Sequence, residues 1–233
     1  MKALVLKEPF KFEYKELPEP SPKPGEALLK VRSIGICGSD LHAYRGKQPF
    51  LSYPRILGHE LGCEVLEVNE KETDLNLGDL VTVEPLLYCG NCYACRIGKY
   101  NCCEELNVLG VHVDGGMCEM MTLPIEKLHR SDSLSTDELA LCETLSIGTQ
   151  AVKNRAEVTD SDFVCVIGAG PIGVSAMQVA KAYGATVAVM EPIKFRRELV
   201  LKLGVDHVID PLSEDAVESI EKLTSGDMAS VVI

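Results

Sequence analysis

The sequence has little positive charge relative to its negative charge, and this imbalance excludes one class of partner. Its 233 residues contain 23 lysine and arginine residues against 35 aspartate and glutamate residues, for a net charge of −12. Binding to nucleic acid depends on clustered lysine and arginine side chains that neutralise phosphates. We therefore expect no nucleic-acid partner.

The sequence also lacks a recognisable secretion signal and an uninterrupted membrane span. The first residues, MKALVLKEPF, have only a short apolar run before the next charge, which is not typical of a signal peptide. Residues 163–180 carry no charge, but Gly168, Gly170, Pro171 and Gly173 would break a helix there. A buried parallel strand that leads into a buried helix has the same apolar character. We expect a soluble, cytoplasmic protein without a membrane segment.

No low-complexity linker or internal repeat marks a domain boundary, so the boundary is placed where the texture of the sequence changes. Residues 1–147 are β-rich and irregular, with strand-like runs separated by turns rich in proline and glycine. From about Ser161 predicted strands alternate with predicted helices, an order typical of a doubly wound parallel sheet, and residues 148–233 are assigned to this second domain. The sequence ends at Ile233 inside a fourth predicted strand, and we expect the second domain to be incomplete.

Two segments of the first domain have local predictions. The segment TDELALCE is predicted to be helical, with Thr136 as its N-cap and Glu138 in its first turn. The run YCGNCYACRIGKYNCC shows no periodicity and is predicted to be a loop.

The segment VIGAGPIG has the G-x-G-x-x-G spacing of a dinucleotide-binding turn. Gly168, Gly170 and Gly173 follow a predicted strand and open a predicted helix, with Pro171 and Ile172 between the last two. The first glycine permits a tight turn, the second lets a pyrophosphate approach the backbone, and the third lets helix and strand pack closely. Phosphates then bind at the helix N-terminus, where free N–H groups favour anions.

An acidic residue follows at the position that suits the ribose of such a nucleotide. Glu191 closes the second predicted strand, where a carboxylate would accept hydrogen bonds from the ribose hydroxyls. A carboxylate would repel a 2′-phosphate, so this position favours NAD over NADP. Arg196 and Arg197 lie nearby and are the residues that could reduce this preference.

Four of the ten cysteines lie in one short segment. Cys89, Cys92, Cys95 and Cys103 provide four thiolates, enough to close a tetrahedral shell around a structural zinc ion. Cys102 competes with Cys103 for the fourth position, and spacing alone does not decide between them.

A second set of candidate ligands is scattered along the sequence. Cys37 in GICGSDLH, His59 in LGHE and Glu143 in ALCETLSIG are the ligand types of a catalytic zinc ion with one open position. Nothing in their local sequence brings these three residues together.

The motifs CGSDLH, GHE, C-x2-C-x2-C-x7-C and VIGAGPIG, in this order, resemble those of the zinc-dependent medium-chain alcohol dehydrogenases. The resemblance covers the whole chain. It implies a GroES-like, β-rich catalytic zinc domain followed by a Rossmann-type domain. Because Glu143 stands in E-x-x-S-x-G where the simple alcohol dehydrogenases have cysteine, the chain is most similar to the branch of sorbitol, threonine and galactonate dehydrogenases.

The resemblance also implies roles for individual residues. Cys37 and His59 would bind the catalytic zinc, with a third contact from Glu143, Glu60 or both. The family ends its structural zinc loop with Asn-Leu-Cys, which assigns the fourth structural ligand to Cys103.

The segment after Cys37 would move the substrate proton. By the resemblance, Ser39 would pass this proton along the cofactor ribose towards His42, which meets solvent, and Asp40 would orient the zinc-bound histidine. Two positions depart from the family pattern: Cys63 stands where glycine is usual, and Thr144 stands where proline is common.

These implications lead to one expected function and its alternatives. We expect an enzyme with two zinc ions that transfers a hydride between NAD and a secondary alcohol of a polyol or sugar acid, and that forms a homodimer or homotetramer. The alternatives are a simple alcohol or threonine dehydrogenase of the same family, and a non-catalytic protein that binds zinc and a dinucleotide. By the resemblance, the nicotinamide-side contacts come from a later part of the second domain, and we expect the chain as given to bind zinc without turning over substrate.

Overall fold

The computed structural model describes residues 1–233, which divide into two units, Met1–Glu143 and Thr144–Ile233. The boundary expected from the sequence, between residues 147 and 148, lies a few residues further along the chain.

The first unit is built mainly from antiparallel strands. These are β1 (Lys2–Glu8), β2 (Lys11–Glu16), β3 (Glu26–Ile34), β4 (Arg55–Ile56), β5 (Leu61–Val68), β6 (Leu80–Val83), β7 (Leu86–Leu87), β8 (Asn107–Val108), β9 (Met120–Pro124) and β10 (Leu128–Arg130). The largest sheet has the order β10-β6-β5-β3-β9, beside a sheet β2-β1-β4 and a pair β7-β8. The β-rich character predicted for this region is confirmed.

The helices of this unit are short. They are α1 (Gly38–Tyr44), α2 (Tyr93–Arg96) and α3 (Thr136–Ala140), with 3-10 turns at Tyr100–Cys102 and Ile125–Lys127. The next helix, α4 (Cys142–Thr149), contains the division between the units. The cysteine-rich run predicted to be a loop therefore contains α2 and a 3-10 turn.

The core of the first unit lies on the inner face of the five-stranded sheet. Leu29 of β3 is paired with Val65 of β5 on one side and Met121 of β9 on the other, and all three side chains are buried. Leu61 and Val81 extend the same apolar cluster. Each fully buried aliphatic side chain of this size stabilises the fold by about 1.5–3 kcal/mol.

The prediction of Thr136 as the N-cap of α3 is wrong by one residue. Ser135 is the N-cap: its Oγ accepts from the Glu138 N–H, and its own N–H donates to Glu138 Oε2 at 2.8 Å. This reciprocal pair is a capping box, which requires a glutamate three residues after the cap. Glu138 meets that spacing from Ser135 and not from Thr136.

The second unit contains a four-stranded parallel sheet. Its strands are β11 (Phe163–Ile167), β12 (Thr186–Met190), β13 (His207–Ile209) and β14 (Val231–Val232), and its helices are α5 (Pro171–Ala182), α6 (Lys194–Lys202) and α7 (Ala216–Leu223). A π-helical segment, Gln150–Arg155, follows α4. The sheet order is β13-β12-β11-β14, so the predicted Rossmann-type arrangement is confirmed.

The strands of this sheet are mostly apolar, as is typical of parallel strands covered on both faces, although β12 begins with Thr186 and β13 with His207. Val164, Cys165 and Val166 of β11 are consecutive and all buried. Cys165 thus acts as a small core residue. The uncharged stretch 163–180 folds as β11, a turn and part of α5, and none of the helices has the length and apolarity that crossing a membrane requires.

Helices α4 and α5 approach each other closely at Gly148. A Cβ atom on Gly148 would overlap Ser175 Oγ and lie 2.7 Å from the backbone nitrogen of Ala176. The Ser175 hydroxyl donates to the carbonyl oxygens of Thr144 and Leu145, so moving it away from position 148 would break these hydrogen bonds. Glycine at position 148 is therefore required by packing.

We predict that Gly148→Ala lowers the free energy of unfolding by about 1–3 kcal/mol, because overpacking outweighs the helix propensity gained from alanine. Urea unfolding followed by circular dichroism measures this. Gly38→Ala is the matched control, since Gly38 also lies in a helix and no atom lies within 4 Å of its added Cβ. Equal stability of the Gly148→Ala and Gly38→Ala variants would contradict the packing argument.

Candidate metal centres and nucleotide-binding loop

The turn after β3 presents Cys37 at the start of α1. Cys37 is the N-cap residue of this helix, and its N–H donates to Asp40 Oδ2 at 2.9 Å. Asp40 is buried, and its carboxylate satisfies an N–H group at the beginning of the helix. This hydrogen bond orients the backbone that carries the Cys37 thiol.

Pairing of β3 with β5 brings a histidine and a glutamate to the same place. Ile34 at the end of β3 is paired with Leu61 at the start of β5, and the Gly35 N–H donates to the Glu60 carbonyl at 2.8 Å. As a result Cys37, His59 and Glu60 each have a ligand atom within 4.8 Å of the others. Thiolate, imidazole and carboxylate are all zinc ligands.

Glu143 lies outside this group of three but affects its charges. Its negative charge raises the pKa of His59. Burial raises the pKa of Glu143 itself; the charge of Glu60 raises it further, and the charge of His59 lowers it. The structure therefore places Glu60 with Cys37 and His59, and places Glu143 within electrostatic range of them.

The ionisable side chains at this site shift one another's pKa values. A hydrogen bond with His59 is the main reason why the pKa of Cys37 is lowered. Burial by itself would lower the pKa of His59, but Cys37, Asp40 and Glu143 outweigh it and raise the pKa to about 8. Burial raises the pKa of Asp40. A divalent cation that binds here would displace the protons of this thiol and this imidazole.

Two buried polar atoms at this site have no hydrogen-bond partner. These are Ser39 Oγ and His59 Nδ1. Buried polar atoms are rarely left unpaired unless they serve an ion, a water or a ligand. The donor set and these two atoms together fit a zinc ion with a position open to substrate.

Ser39 and His42, the two residues expected to move the substrate proton, both lie on α1. They lie three residues apart on α1 and therefore share one face of the helix. The Ser39 hydroxyl is buried, whereas His42 is exposed.

The second candidate metal centre lies in the cysteine-rich run. The Sγ atoms of Cys89, Cys92, Cys95 and Cys103 all lie within 4.8 Å of one another, and two of the Sγ–Sγ distances are 3.5 Å. Tetrahedral zinc with bonds of about 2.3 Å separates its thiolates by about 3.8 Å. Cys103 is buried in this cluster, whereas Cys102 is exposed.

Two of the four thiols, Cys92 and Cys95, have pKa values shifted in opposite directions. The backbone N–H groups of Cys95 and Glu104 are the main causes that lower the pKa of Cys92 to about 6. Burial, together with the neighbouring thiols, raises the pKa of Cys95 to about 12. Cys92 is therefore the more readily ionised of these two thiols, and a bound cation would favour the thiolate form of both.

A stack of side chains supports this cysteine loop. The rings of Tyr88 and Tyr100, which flank the loop near its two ends, are stacked with centroids 4.3 Å apart. The Lys127 ammonium lies 3.4 Å from the Tyr88 ring centroid and 3.3 Å from Glu84 Oε1, and Lys127 is only 1% exposed. Sequence reasoning missed these residues, because a cation and two aromatic rings far apart in sequence leave no periodic signal.

The glycine-rich turn of the second unit has the geometry predicted for it. Gly168 has φ = +101°, in the region that favours glycine, and Gly170 is the N-cap of α5 with Pro171 as its first residue. A Cβ on Gly173 would overlap the Gly168 carbonyl oxygen. Ile172 is exposed beside this turn. The N-terminal N–H groups of α5 are therefore open to a phosphate.

Glu191 lies directly after β12 and is tied to the same turn. Its side chain is 2% exposed, with Oε2 accepting from the Ala169 N–H and Oε1 from the Ile193 N–H, both at 2.8 Å. Burial opposes ionisation, but these N–H groups and Arg196, 3.7 Å away, outweigh it and lower the pKa of Glu191. The Arg197 guanidinium does not pair with the Glu191 carboxylate. It donates to the backbone carbonyls of Glu191 and Pro192 and forms an ion pair with Asp210.

Comparison with known proteins gives the same class for both units. A sequence profile described as "Alcohol dehydrogenase GroES-like domain" matches residues 23–133, and one described as "Zinc-binding dehydrogenase" matches residues 171–233. The chain belongs to the zinc-type alcohol dehydrogenase family, whose members are oxidoreductases.

Two relatives and one solved structure illustrate the similarity. An uncharacterized zinc-type alcohol dehydrogenase-like protein of Haemophilus influenzae is 41% identical over 235 residues, and L-galactonate-5-dehydrogenase of Escherichia coli K12 is 40% identical over 233 residues. Each match covers 100% of this chain and 68% of the relative. The structure of a short chain alcohol dehydrogenase of E. coli CFT073, solved with NADH, matches with a TM-score of 0.88 and 33% sequence identity. The match covers 100% of this chain and 68% of that chain.

We predict that Tyr100→Ala accelerates the reaction of the loop cysteines with a thiol reagent by about 2- to 10-fold, because a stacked aromatic pair contributes about 0.5–1.5 kcal/mol. The measurement is the rate of thiol modification in the zinc-loaded protein. Tyr93→Ala is the matched control: Tyr93 lies in the same loop, is 65% exposed and has no ring partner. Identical rates for the Tyr93→Ala and Tyr100→Ala variants would show that the stack does not hold the loop.

Proposed function

We propose that the protein is an NAD-linked, zinc-dependent dehydrogenase that oxidises a secondary alcohol of a polyol or sugar acid. The observation that carries the proposal is the group Cys37, His59 and Glu60 beside the unpartnered hydroxyl of Ser39. A structural zinc site is closed by four protein ligands, whereas this group offers three and leaves a position open to substrate. The glycine-rich turn with Glu191 supports a dinucleotide as the hydride acceptor.

The residues of the first unit divide the work between metal binding and proton movement. Cys37, His59 and Glu60 would hold zinc, with Glu143 close enough to modulate the charge. When bound, zinc supplies Lewis acidity towards a substrate hydroxyl and NAD accepts the hydride. Ser39 Oγ would take the substrate proton and pass it towards His42, which is exposed and can release it to water. Asp40 keeps the backbone of Cys37 in place through its hydrogen bond.

The proposed substrate class rests on two further observations. Glu143 is present where the resemblance places cysteine in simple alcohol dehydrogenases, and the chain is 40% identical to an L-galactonate-5-dehydrogenase. A polyol or sugar acid has several hydroxyl groups, which suits a site lined by carboxylates and a buried serine.

We predict that aldonates and polyols are oxidised with a higher kcat/KM than threonine or simple alcohols. A panel of these four substrate classes with NAD, followed by NADH absorbance, tests this on the intact protein. Fastest oxidation of threonine or of a simple alcohol would overturn the substrate class, and no oxidation of any substrate would overturn the proposed activity.

We predict two zinc ions per chain with different labilities. The four-cysteine site is closed and all-thiolate, so its ion should be released slowly, whereas the Cys37 site is open to substrate and should lose its ion first. Metal analysis during treatment with a chelator follows both ions. Loss of the first ion should abolish activity while the circular dichroism spectrum persists. A single zinc ion, or activity that survives loss of the labile ion, would contradict this.

We predict a preference for NAD over NADP that depends on the charge of Glu191. Charged hydrogen bonds from ribose hydroxyls to this carboxylate would contribute about 1.5–3 kcal/mol each, whereas a 2′-phosphate would be repelled. The Glu191→Gln variant keeps the shape of the side chain, removes its charge and leaves one of its two amide bonds without an acceptor. The ratio of kcat/KM for NAD to that for NADP should then fall about tenfold or more.

Lys194→Ala is the control for this experiment, since Lys194 is exposed in the adjacent helix and pairs only with Glu198. Its cofactor ratio should equal that of the wild type. A wild type that prefers NADP, or a Glu191→Gln variant with an unchanged ratio, would show that another residue selects the cofactor.

A further inference from the structure

The Glu60 side chain occupies the space where residue 35 would have its own side chain. A Cβ atom on Gly35 would overlap Glu60 Oε2, lie 2.8 Å from Glu60 Cβ and lie 3.1 Å from Glu60 Cδ. These distances are shorter than the optimal separation of about 3.5–4.0 Å between carbon atoms. Glu60 is 7% exposed, so it has little room to turn away from a side chain at position 35.

The backbone holds these two residues at a fixed separation. The Gly35 N–H donates to the Glu60 carbonyl at 2.8 Å, directly after the Ile34–Leu61 pair of strands β3 and β5. The close contact with Glu60 Cβ cannot be relieved by rotating the carboxylate, because Cβ is fixed by the backbone. Rotation of the Glu60 side chain would relieve the contacts with Oε2 and Cδ, whereas relief of the contact with Cβ requires movement of the strand end.

The glycine at position 35 is explained by this contact and not by backbone conformation. Gly35 is absent from the glycines with positive φ, so its backbone is accessible to any residue. Three residues further along the same turn, Gly38 has no atom within 4 Å of an added Cβ. Neither glycine has a positive φ, so in both cases the cost of a side chain depends on what a methyl group would meet.

We propose that Gly35 is a positioning residue for the metal site: the absence of its side chain lets the Glu60 carboxylate lie beside Cys37 and His59. The proposal rests on the proposed function, in that it assumes a metal ion bound by these three residues. A methyl group at position 35 would push the carboxylate out of the group in which all three ligand atoms lie within 4.8 Å. Residues that orient a metal ligand typically contribute about 10- to 100-fold to metal affinity.

The test measures metal release from the intact, zinc-loaded protein with a chromogenic chelator, so it does not depend on activity. Gly35→Ala should weaken binding of the labile ion about 10- to 100-fold and leave the ion of the four-cysteine site unchanged. The matched control Gly38→Ala should release the labile ion at the wild-type rate. Wild-type retention in Gly35→Ala, or equal loss from Gly38→Ala, would overturn the proposal.

A second pair of variants separates displacement of Glu60 from general damage to the fold. Glu60→Gly should weaken the labile site by itself, and adding Gly35→Ala in this background should change metal release by less than about 2-fold, because no side chain remains to be displaced. If Gly35→Ala fails to fold, the double variant should recover folding. A full additional loss of metal in the double variant would overturn the proposal.

The outcomes for this proposal and for the proposed function are distinguishable. A wild type that binds no labile ion would overturn both. A wild type that binds a labile ion but oxidises no alcohol would overturn the proposed function alone, and the Gly35 variants would still decide the positioning role.

Discussion

The antiparallel pairing of β3 with β5 is the constraint on which the candidate active site depends. Cys37 follows the end of one strand, and His59 and Glu60 precede the start of the other. The ligand atoms meet because the two strand ends are joined through Ile34, Leu61 and the hydrogen bond from Gly35. The same pairing places Leu29 against Val65 in the core, so the register that buries the apolar side chains also assembles the metal ligands.

Several ionisable side chains are buried at the candidate active site, and their desolvation lowers the stability of the fold relative to apolar residues at the same positions. Asp40, His59 and Glu60 are all buried, and each would be destabilising without a partner of opposite charge. Asp40 is stabilised by the N–H group of Cys37, and His59 by the surrounding negative groups. Two further polar atoms remain unpaired, which is the pattern of a site arranged for a ligand rather than for stability.

The features that could be predicted from sequence are those whose residues lie within one segment. The glycine-rich turn and the four-cysteine cluster each come from a short run, so spacing alone brings their groups together. The strand and helix alternation after residue 160 likewise predicted the parallel sheet. The first residue of α3 was misplaced by one because two neighbouring hydroxyl residues compete for the N-cap, and only the spacing to Glu138 decides between them.

Features that depend on tertiary contacts could not be predicted in the same way. Cys37 and His59 are separated by a helix and a long connection, and only strand pairing unites them. Lys127 was unremarkable in sequence, yet it is almost completely buried on the ring of Tyr88. The contact of Glu60 with Gly35 is of the same kind, since it depends on the distance between two backbones.

The two hydrogen bonds of Glu191 have a consequence for how nucleotide preference can evolve in this protein. One carboxylate oxygen supports the amide of Ala169 inside the glycine-rich turn, and the other supports the chain that leads into α6. Glu191, which would discriminate between nucleotides, thus also stabilises the turn that would hold their phosphates. A substitution that alters discrimination therefore also changes the rigidity of the turn, unless the new side chain still accepts from both amides. If Glu191 selects the nucleotide as proposed, selectivity and order of the turn are coupled, and a change of cofactor requires compensating changes in the turn itself.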